Sequence, residues 1–369
     1  MKSNHIVLLI LSFSFLLIAC QKEIEFDKKL IQPKLVVNSF IEADSFIVVH
    51  VATSKTIPGL EKPFEWPDDA TIKLYVDNTE TETLSSFPIE YPETEENDYW
   101  YINSDISRPT VGYRTVNTKA ETGKIYRLEI SHPDYETAST ETFLPEKPQL
   151  ISYSSEPIVE SMYGYEQRYL AFKVKFKDTA SEKNYYRLSV HAFIGRWSPN
   201  YSSEKDTTGI IQLSEGYITY INSTDKILNP DEEDANDFLF GSPSNNYNLF
   251  TDEFIDGKEY EINFSIQLNN GNYYQNGELV VPEQHQGEFY RYTISLQAIT
   301  YDAYLYMRSS YAQRWYGDDF FSEPVQAYSN VENGVGIFAG YSSSGFVVAD
   351  GEYPLDGIEY EESNYYYYY

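Results

Sequence analysis

Short runs of alternating apolar and polar residues fill most of the sequence and constrain its fold more than any other feature. Runs such as "KLVVNSFI", "SFIVVHVATS", "ATIKLYVDN" and "KIYRLEISH" are rich in β-branched and aromatic residues and are bounded by Pro, Gly, Asp and Asn. Successive side chains of a strand point to opposite faces, so each run presents one apolar face. The sequence therefore predicts a mostly β protein that begins with an immunoglobulin-like β-sandwich over residues 33–148.

A second set of such runs follows a junction that contains two prolines. Pro145 and Pro148 in "FLPEKPQL" cannot donate to a strand ladder, which favours a domain boundary there. Beyond it, "YLAFKVKFKD", "NYYRLSVHAFIG", "YEINFSIQL" and "FYRYTISLQAIT" predict a larger β domain over residues 149–350. An acidic, tyrosine-rich tail, residues 351–369, ends the chain.

Four of these runs contain a tyrosine that is followed by an apolar or aromatic residue two positions later and another four positions later. Because the side-chain period of a strand is two, each trio should lie on one face of its strand, which we expect to be the core face. The trios are Tyr126, Leu128 and Ile130; Tyr186, Leu188 and Val190; Tyr260, Ile262 and Phe264; and Tyr290, Tyr292 and Ile294.

One segment has the spacing of a helix and not of a strand. In "TYDAYLYMRSSYAQRWYG", the apolar positions recur three or four residues apart from Tyr301 to Trp315, and Gly317 is a plausible stop. The pattern predicts one helix near residues 301–316 that is docked on a sheet.

The N-terminus has the features of a bacterial export signal. An apolar run from Ile6 to Ile18 is too short to span a bilayer as a helix and fits a secretory signal peptide. It ends in "LLIAC", which resembles the site where a lipoprotein signal peptide is cut before an acylated cysteine. We therefore expect a signal peptide over residues 1–19, a lipid on Cys20 and a tether over residues 20–32. Cys20 is the only cysteine, so no disulfide can form within the chain.

The residues after Cys20 resemble a targeting signal. The segment "QKEIEFD" places Lys22, Glu23 and Glu25 close to the cysteine, and this resembles the surface-export signal of lipoproteins from the Bacteroidota phylum. We expect the protein to be anchored in the outer membrane and exposed at the cell surface, with the periplasmic face as the alternative.

The chain is strongly acidic, which excludes some partners. Its formal net charge is −30 at pH 7, and removal of residues 1–19 would take away Lys2 and no acid. Such a charge repels phosphate backbones and anionic lipid headgroups. We expect no nucleic-acid partner, and contact with the membrane only through the lipid anchor.

A glycine pattern near the C-terminus is close to the spacing of a dinucleotide-binding loop. Such a loop needs a strand before it and a helix after it, but Gly334-x-Gly336-x-x-x-Gly340 follows the proline-containing "FFSEPVQAY" and precedes the β-like "YSSSGFVVADG". The pattern instead predicts a tight turn with positive φ at Asn333-Gly334 that returns into a sheet. No cofactor is expected.

The residues that could support catalysis or bind a metal show no recognised spacing. Asp231 begins an acidic loop, but the sixth and twelfth positions counted from it are Asn236 and Ser242 and not the Gly and Glu of an EF-hand. The sequence leaves open whether an irregular calcium site forms in this loop. No His-x-His or His-Glu-x-x-His pattern occurs among the histidines outside the signal peptide, so we expect no catalytic residue, no metal site and no enzyme. These histidines are His50, His132, His191 and His285.

Several segments together resemble a known family. Residues 33–44, 123–145 and 317–341, with the lipoprotein-like start, are similar to the Bacteroidota lipoproteins grouped as domain of unknown function 4249. The resemblance is most specific in a C-terminal motif, which we expect to be structural. The resemblance implies a TonB-dependent outer-membrane receptor as a partner and attaches no enzymatic activity. The motif residues are Glu323, Pro324, Ser329, Asn330, Asn333, Gly334, Gly336 and Phe338.

The tyrosine content favours contact with a partner. The 36 tyrosines exceed what a sandwich core needs, and tyrosine offers an apolar face and a polar tip to a glycan or a peptide. We therefore expect a non-catalytic, ligand- or partner-binding accessory to a TonB-dependent receptor in nutrient uptake. A surface adhesin or envelope-organising protein is the alternative. A hydrolase would require a cleft with convergent carboxylates or a histidine pair.

Replacement of the predicted lipid-bearing residue tests the anchor. Cys20→Ala should move the protein from the membrane fraction to the soluble fraction, because the protein body would retain no buried acyl chain. Immunoblots of fractionated cells measure the shift, and Gln21→Ala is the matched control that should stay membrane-bound. An unmodified thiol at Cys20, found by mass spectrometry of the wild type, would contradict the prediction.

Overall fold

The computed structural model describes twelve segments of the chain. The predicted signal peptide, the tether with Cys20, Lys22, Glu23 and Glu25, and the tail lie outside them, as do Glu323, Pro324, His285 and the acidic loop that begins at Asp231. The described segments are 33–54, 65–89, 109–162, 165–180, 182–197, 210–218, 221–228, 247–268, 273–275, 278–280, 288–316 and 326–350.

Strands dominate these segments, and one helix accompanies them. The helix α1, Tyr301–Tyr316, lies where the apolar spacing predicts it, and the mostly β fold class is confirmed. The strands in chain order are β1 Leu35–Glu42, β2 Phe46–Thr53, β3 Thr71–Val76, β4 Thr79–Thr83, β5 Ser85–Pro88, β6 Val111–Lys119, β7 Ile125–His132, β8 Tyr135–Phe143, β9 Gln149–Met162, β10 Tyr165–Lys177, β11 Tyr185–Trp197, β12 Ile210–Tyr217, β13 Leu249–Thr251, β14 Glu259–Gln267, β15 Tyr273–Gln275, β16 Glu278–Val280, β17 Glu288–Ile299 and β18 Val335–Asp350.

The strands form one large sheet and three smaller ones. The large sheet has the order β12-β11-β17-β18-β1-β2-β6-β5, with β13 also paired to β11. A four-stranded sheet has the order β4-β3-β7-β8, a three-stranded sheet has the order β14-β10-β9, and β15 pairs with β16. Residues of the four-stranded and three-stranded sheets share hydrophobic clusters with different parts of the large sheet.

Alternation of buried and exposed residues explains the first core. In β1, every second residue from Leu35 is buried, and β3 and β7 likewise bury alternate residues. Side chains from β1 and β2 meet those of β3 and β7 in a cluster that includes Leu35, Val37, Ile72 and Leu128. Each of these four is fully buried, which contributes roughly 1.5–3 kcal/mol per side chain relative to exposure.

A second core lies between the three-stranded sheet and β11, β17 and β18. It includes Phe172, Val174, Leu188, Ile262 and Ile294. The four tyrosine-led trios lie on core faces, as their spacing predicts, although Tyr260 is only partly buried.

The last described strand joins the two regions. β18 pairs in parallel with β1 from Val36↔Val335 to Glu42↔Tyr341, and antiparallel with β17. Phe338 of β18 is buried in the first core and Phe346 in the second. The immunoglobulin-like topology and the domain boundary at residue 148 stay predictions. Strand β18 contributes to the cores on both sides of that boundary.

The helix packs against β17 and β18 of the large sheet. Ala303 and Met307 of α1 are buried against Ile299, Ile337 and Ala339. Thr300 begins the helix, because its Oγ1 accepts a hydrogen bond from the backbone N–H of Ala303 at 3.3 Å. Within the described part of the chain, no helix is long and apolar enough to cross a membrane.

Acid should destabilise the fold through His50 of β2. Burial lowers the pKa of His50 from 6.5 to about 4, so the folded state holds the ring neutral. The unfolded state binds the proton first as the pH falls below 6.5, so stability that is present above that pH is lost between 6.5 and 4. Between pH 7 and pH 5 the loss should be on the order of 2 kcal/mol.

Urea unfolding of the wild type and of His50→Gln at both pH values measures this loss. The variant should be less sensitive to pH by that amount, since carboxylates contribute equally to both proteins. An equal loss of stability in the two proteins would show that His50 is not the group responsible.

Candidate functional site

The motif residues that the structure describes surround the start of β18. The side chain of Asn330 acts as a strand neighbour for Phe338: its Oδ1 accepts from the backbone N–H of Phe338 at 3.0 Å, and its Nδ2 donates to the carbonyl oxygen at 2.8 Å. Two backbone groups of a buried residue are thereby satisfied by one amide side chain, which is the pairing that a strand would otherwise supply.

The segment before β18 is fastened to β8. Glu332 exchanges two backbone hydrogen bonds with Ser139, at 2.8 and 3.1 Å, and Thr140 Oγ1 donates to the carbonyl oxygen of Asn330 at 3.0 Å. Ser329 Oγ accepts from the backbone N–H of Gly336 at 3.1 Å. These bonds fix the turn that leads into β18 on the four-stranded sheet.

Two glycines of the motif are required for different reasons. Gly336 has a φ of +115°, and a side chain there would collide with the carbonyl oxygen of Val37 in the neighbouring strand β1. Gly334 does not have a positive φ, but a Cβ atom there would lie 2.7 Å from Val331 Cγ1. Positive φ within the predicted turn belongs to Asn333, at 56°. The predicted turn is therefore present, and its glycine serves close packing.

The motif also reaches the helix. Tyr328 donates a hydrogen bond from its hydroxyl to Asp302 Oδ1 at 2.5 Å, and Asn330 Nδ2 lies 3.3 Å from Asp302 Oδ2. Burial, together with the Asp302 carboxylate, raises the pKa of Tyr328 to about 12, so the hydroxyl remains a donor at physiological pH. The described motif residues thus connect α1, β8, β1 and β18.

A group of acidic residues lies elsewhere, beside β10 and β13. The carboxylate oxygens of Asp178, Asp252 and Asp256 lie within 4.8 Å of one another, and the first two residues are buried. Burial, followed by the charge of Asp178, raises the pKa of Asp252. Carboxylate oxygens at this separation are ligands that Ca²⁺ accepts.

Protein donors already occupy much of this acidic group. Asp178 accepts from the hydroxyl of Tyr186 at 2.6 Å and from the backbone N–H of Gly257 at 2.8 Å, one bond on each oxygen. Asp252 Oδ2 accepts from the backbone N–H of Asn184 at 2.7 Å. These bonds hold the 252–257 turn against the end of β10 and the start of β11. Sequence reasoning missed the group, because Asp178 is far along the chain from "TDEFIDG" in a chain with 57 acidic residues.

The described histidines lie in separate environments. His50 belongs to β2, His132 Nε2 lies 2.9 Å from Asp69 Oδ1, and the ring of His191 meets the edge of Tyr217. The acidic loop that begins at Asp231, where an irregular calcium site stays open, lies outside the described residues.

An open cleft of about 220 Å³ lies on the outer face of the three-stranded sheet. Pairing of Ser154 with Lys173 and of Glu156 with Ala171 aligns their side chains on this face, opposite to the core residue Phe172. The lining side chains of this face are Ser154, Glu156, Ile158, Glu160, Ala171, Lys173, Asn263 and Ser265.

A short segment forms one wall of this cleft. Asn222 exchanges backbone hydrogen bonds of 2.8 and 2.7 Å with Ser265, and Ser223 Oγ donates to the carbonyl oxygen of Asn263 at 2.6 Å. Residues 222–224 therefore border the cleft on the β14 side, while β9 borders it on the other. The open cleft is lined by both polar and apolar groups, and its volume of about 220 Å³ is below the roughly 300–1,000 Å³ of most small-molecule sites. Sequence reasoning did not find it, since its walls are far apart along the chain.

Comparison with known proteins places the chain in a family. The model of a family described as a domain of unknown function (DUF4249) matches residues 21–345. The chain belongs to the DUF4249 family. This confirms the resemblance that the C-terminal motif indicates, and the described motif residues of this DUF4249 chain lie together around the start of β18.

Other comparisons add little to the DUF4249 assignment. No curated protein matches the chain. Among solved structures, the B domain of a biofilm associated protein is similar over 84% of this chain and 85% of its own, at 8% identity and a TM-score of 0.16. A score this low does not establish a shared fold.

Removal of the side-chain amide of Asn330 should destabilise the protein. Asn330→Ala leaves the backbone N–H and C=O of the buried Phe338 without partners, at a cost of about 2–4 kcal/mol for two groups. Urea unfolding at pH 7 measures the change, and Asn117→Ala, on an exposed part of β6, is the control that should stay within about 0.5 kcal/mol of the wild type. Equal stability of the two variants would rule out this role.

Proposed function

We propose that the protein is a lipid-anchored, non-catalytic binding protein of the outer membrane that works with a TonB-dependent receptor in nutrient uptake. The observation that carries the proposal is the open cleft between β9 and residues 222–224. Its walls come from a sheet that is backed by the second core, so the side chains facing a ligand are held on a rigid support.

The cleft lining carries charges of both signs. Glu156 and Glu160 lie on one strand, and four residues of strand separate their Cα atoms by about 13 Å. Lys173 stands between β9 and β14 and provides one opposite charge. The lining therefore offers hydrogen bonds and charges that orient a partner.

Exposed tyrosine rings support a role in binding a partner. Tyr153, Tyr217 and Tyr301 are 52%, 39% and 50% exposed. An exposed tyrosine gives apolar contact area at a low cost in side-chain entropy. Such residues are enriched where proteins meet partners.

The proposed attachment rests on the residues that precede β1. The pattern that ends at Cys20 and the acidic segment with Lys22, Glu23 and Glu25 support a lipidated protein at the cell surface. The charge of −30 keeps the protein body away from anionic headgroups, so the lipid would hold the protein without a second membrane contact.

Purification from native membranes in mild detergent tests this function. A tagged wild-type protein should recover a TonB-dependent receptor after brief cross-linking. Ala171→Trp projects a large ring into the cleft and should lower the recovery about tenfold, while Val116→Trp, at an exposed site on β6, should not change it. Recovery of the protein without any receptor would overturn the proposal and favour an adhesin.

A further inference from the structure

We propose that β9 is a docking edge, to which an extended basic segment of a partner protein adds as a fourth strand of the three-stranded sheet. This inference rests on the proposed function and names the class of partner that the cleft and its rim accept.

The first support is the position of β9 in its sheet. The sheet order is β14-β10-β9, so within the described chain β9 has one strand neighbour and an open edge. The strand is 14 residues long, and the seven residues from Ile151 to Pro157 are all exposed. A long exposed edge presents unpaired N–H and C=O groups, which form hydrogen bonds with an incoming strand.

The stretch of β9 from Tyr153 to Glu156 lacks the lysines, prolines and bulges that block pairing. Proteins protect such edges with lysines, prolines, bulges or short strands. β9 contains no lysine, and its one proline is Pro157. Its irregularity lies near its start, where Lys175 pairs with Ser152 and Phe176 with Leu150. The stretch from Tyr153 to Glu156 is therefore regular and open to a partner.

Apolar side chains on one face of β9 are left uncovered. Ile151, Tyr153 and Val159 are 42%, 52% and 47% exposed, yet the ring of Tyr153 is stacked on the core residue Phe346 at 3.8 Å between centroids. These side chains lie at the margin of the second core, where no described strand covers them. A further strand would bury these side chains beside its own apolar residues, at roughly 25 cal/mol per Å² removed from water.

The other face of β9 sets the charge of the partner. Glu156 and Glu160 point to the cleft side, and directly opposed side chains of neighbouring strands have Cβ atoms about 5 Å apart. A lysine or arginine of an added strand would therefore pair with each of them. With a net charge of −30, the whole protein also attracts a basic segment and repels an acidic one. The partner segment should alternate apolar and basic residues.

Two synthetic peptides test this inference on the purified protein without its lipid. In one nine-residue peptide valine alternates with lysine, and in the other valine alternates with glutamate. Fluorescence anisotropy should show binding of the lysine peptide and at least tenfold weaker binding of the glutamate peptide. A lysine peptide with N-methylated backbone amides should not bind. Hydrogen exchange should slow at backbone amides between residues 151 and 160 when the lysine peptide binds.

Charge reversal distinguishes this edge from general attraction to an acidic protein. The double variant Glu156→Lys with Glu160→Lys should prefer the glutamate peptide, because the rim then carries the opposite charge. The control Glu136→Lys with Glu141→Lys makes the same change in net charge at exposed positions of β8 and should keep the wild-type preference. Equal behaviour of the two double variants, or no protection in β9, would overturn the inference.

The remaining outcomes separate this inference from the proposed function. Recovery of the receptor from membranes together with a failure of both peptides would overturn strand addition alone. Peptide binding without any receptor in membranes would overturn the receptor partnership alone. A dimer in sedimentation that the Glu156 and Glu160 reversal abolishes would show that a second copy occupies β9, and would overturn a basic partner.

Discussion

The parallel pairing of β1 with β18 is the interaction on which the rest of the structure depends. β18 lies between β1 and β17, so it completes one sheet from strands that belong to opposite ends of the chain. It contributes Phe338 to the first core and Phe346 to the second, and Ile337 and Ala339 to the surface under α1. Close contact between the two backbones requires Gly336, since the carbonyl oxygen of Val37 occupies the place of a side chain.

The family motif is explained by this pairing. Asn330 replaces a missing strand neighbour of Phe338, and Tyr328 carries the connection to Asp302 at the start of α1. Neither residue faces the cleft. The described motif residues therefore define how β18 enters the sheet.

Local patterns in the sequence could predict the strands and the helix but not their partners. The trio of Tyr126, Leu128 and Ile130 shows its core face by its period of two, and α1 follows from apolar residues at helical spacing. Pairing of Val36 with Val335 joins residues about 300 positions apart, and nothing local marks them as neighbours. β9 could not be recognised from the sequence either, because "QLISYSSEPIVESM" contains a proline and its apolar and polar residues do not strictly alternate. The cleft depends on β9, so it could not be predicted from sequence either.

The order of synthesis gives the β1–β18 pairing a further consequence. Ribosomes produce β1 early, and β2 can pair with one side of it within a few residues, but the other side waits for residues 335–341. Until then β1 offers an unpaired edge, and such edges invite association with other chains. Contacts of such long range also slow folding. The second side of β1 is therefore covered late in folding, when almost the whole chain is available.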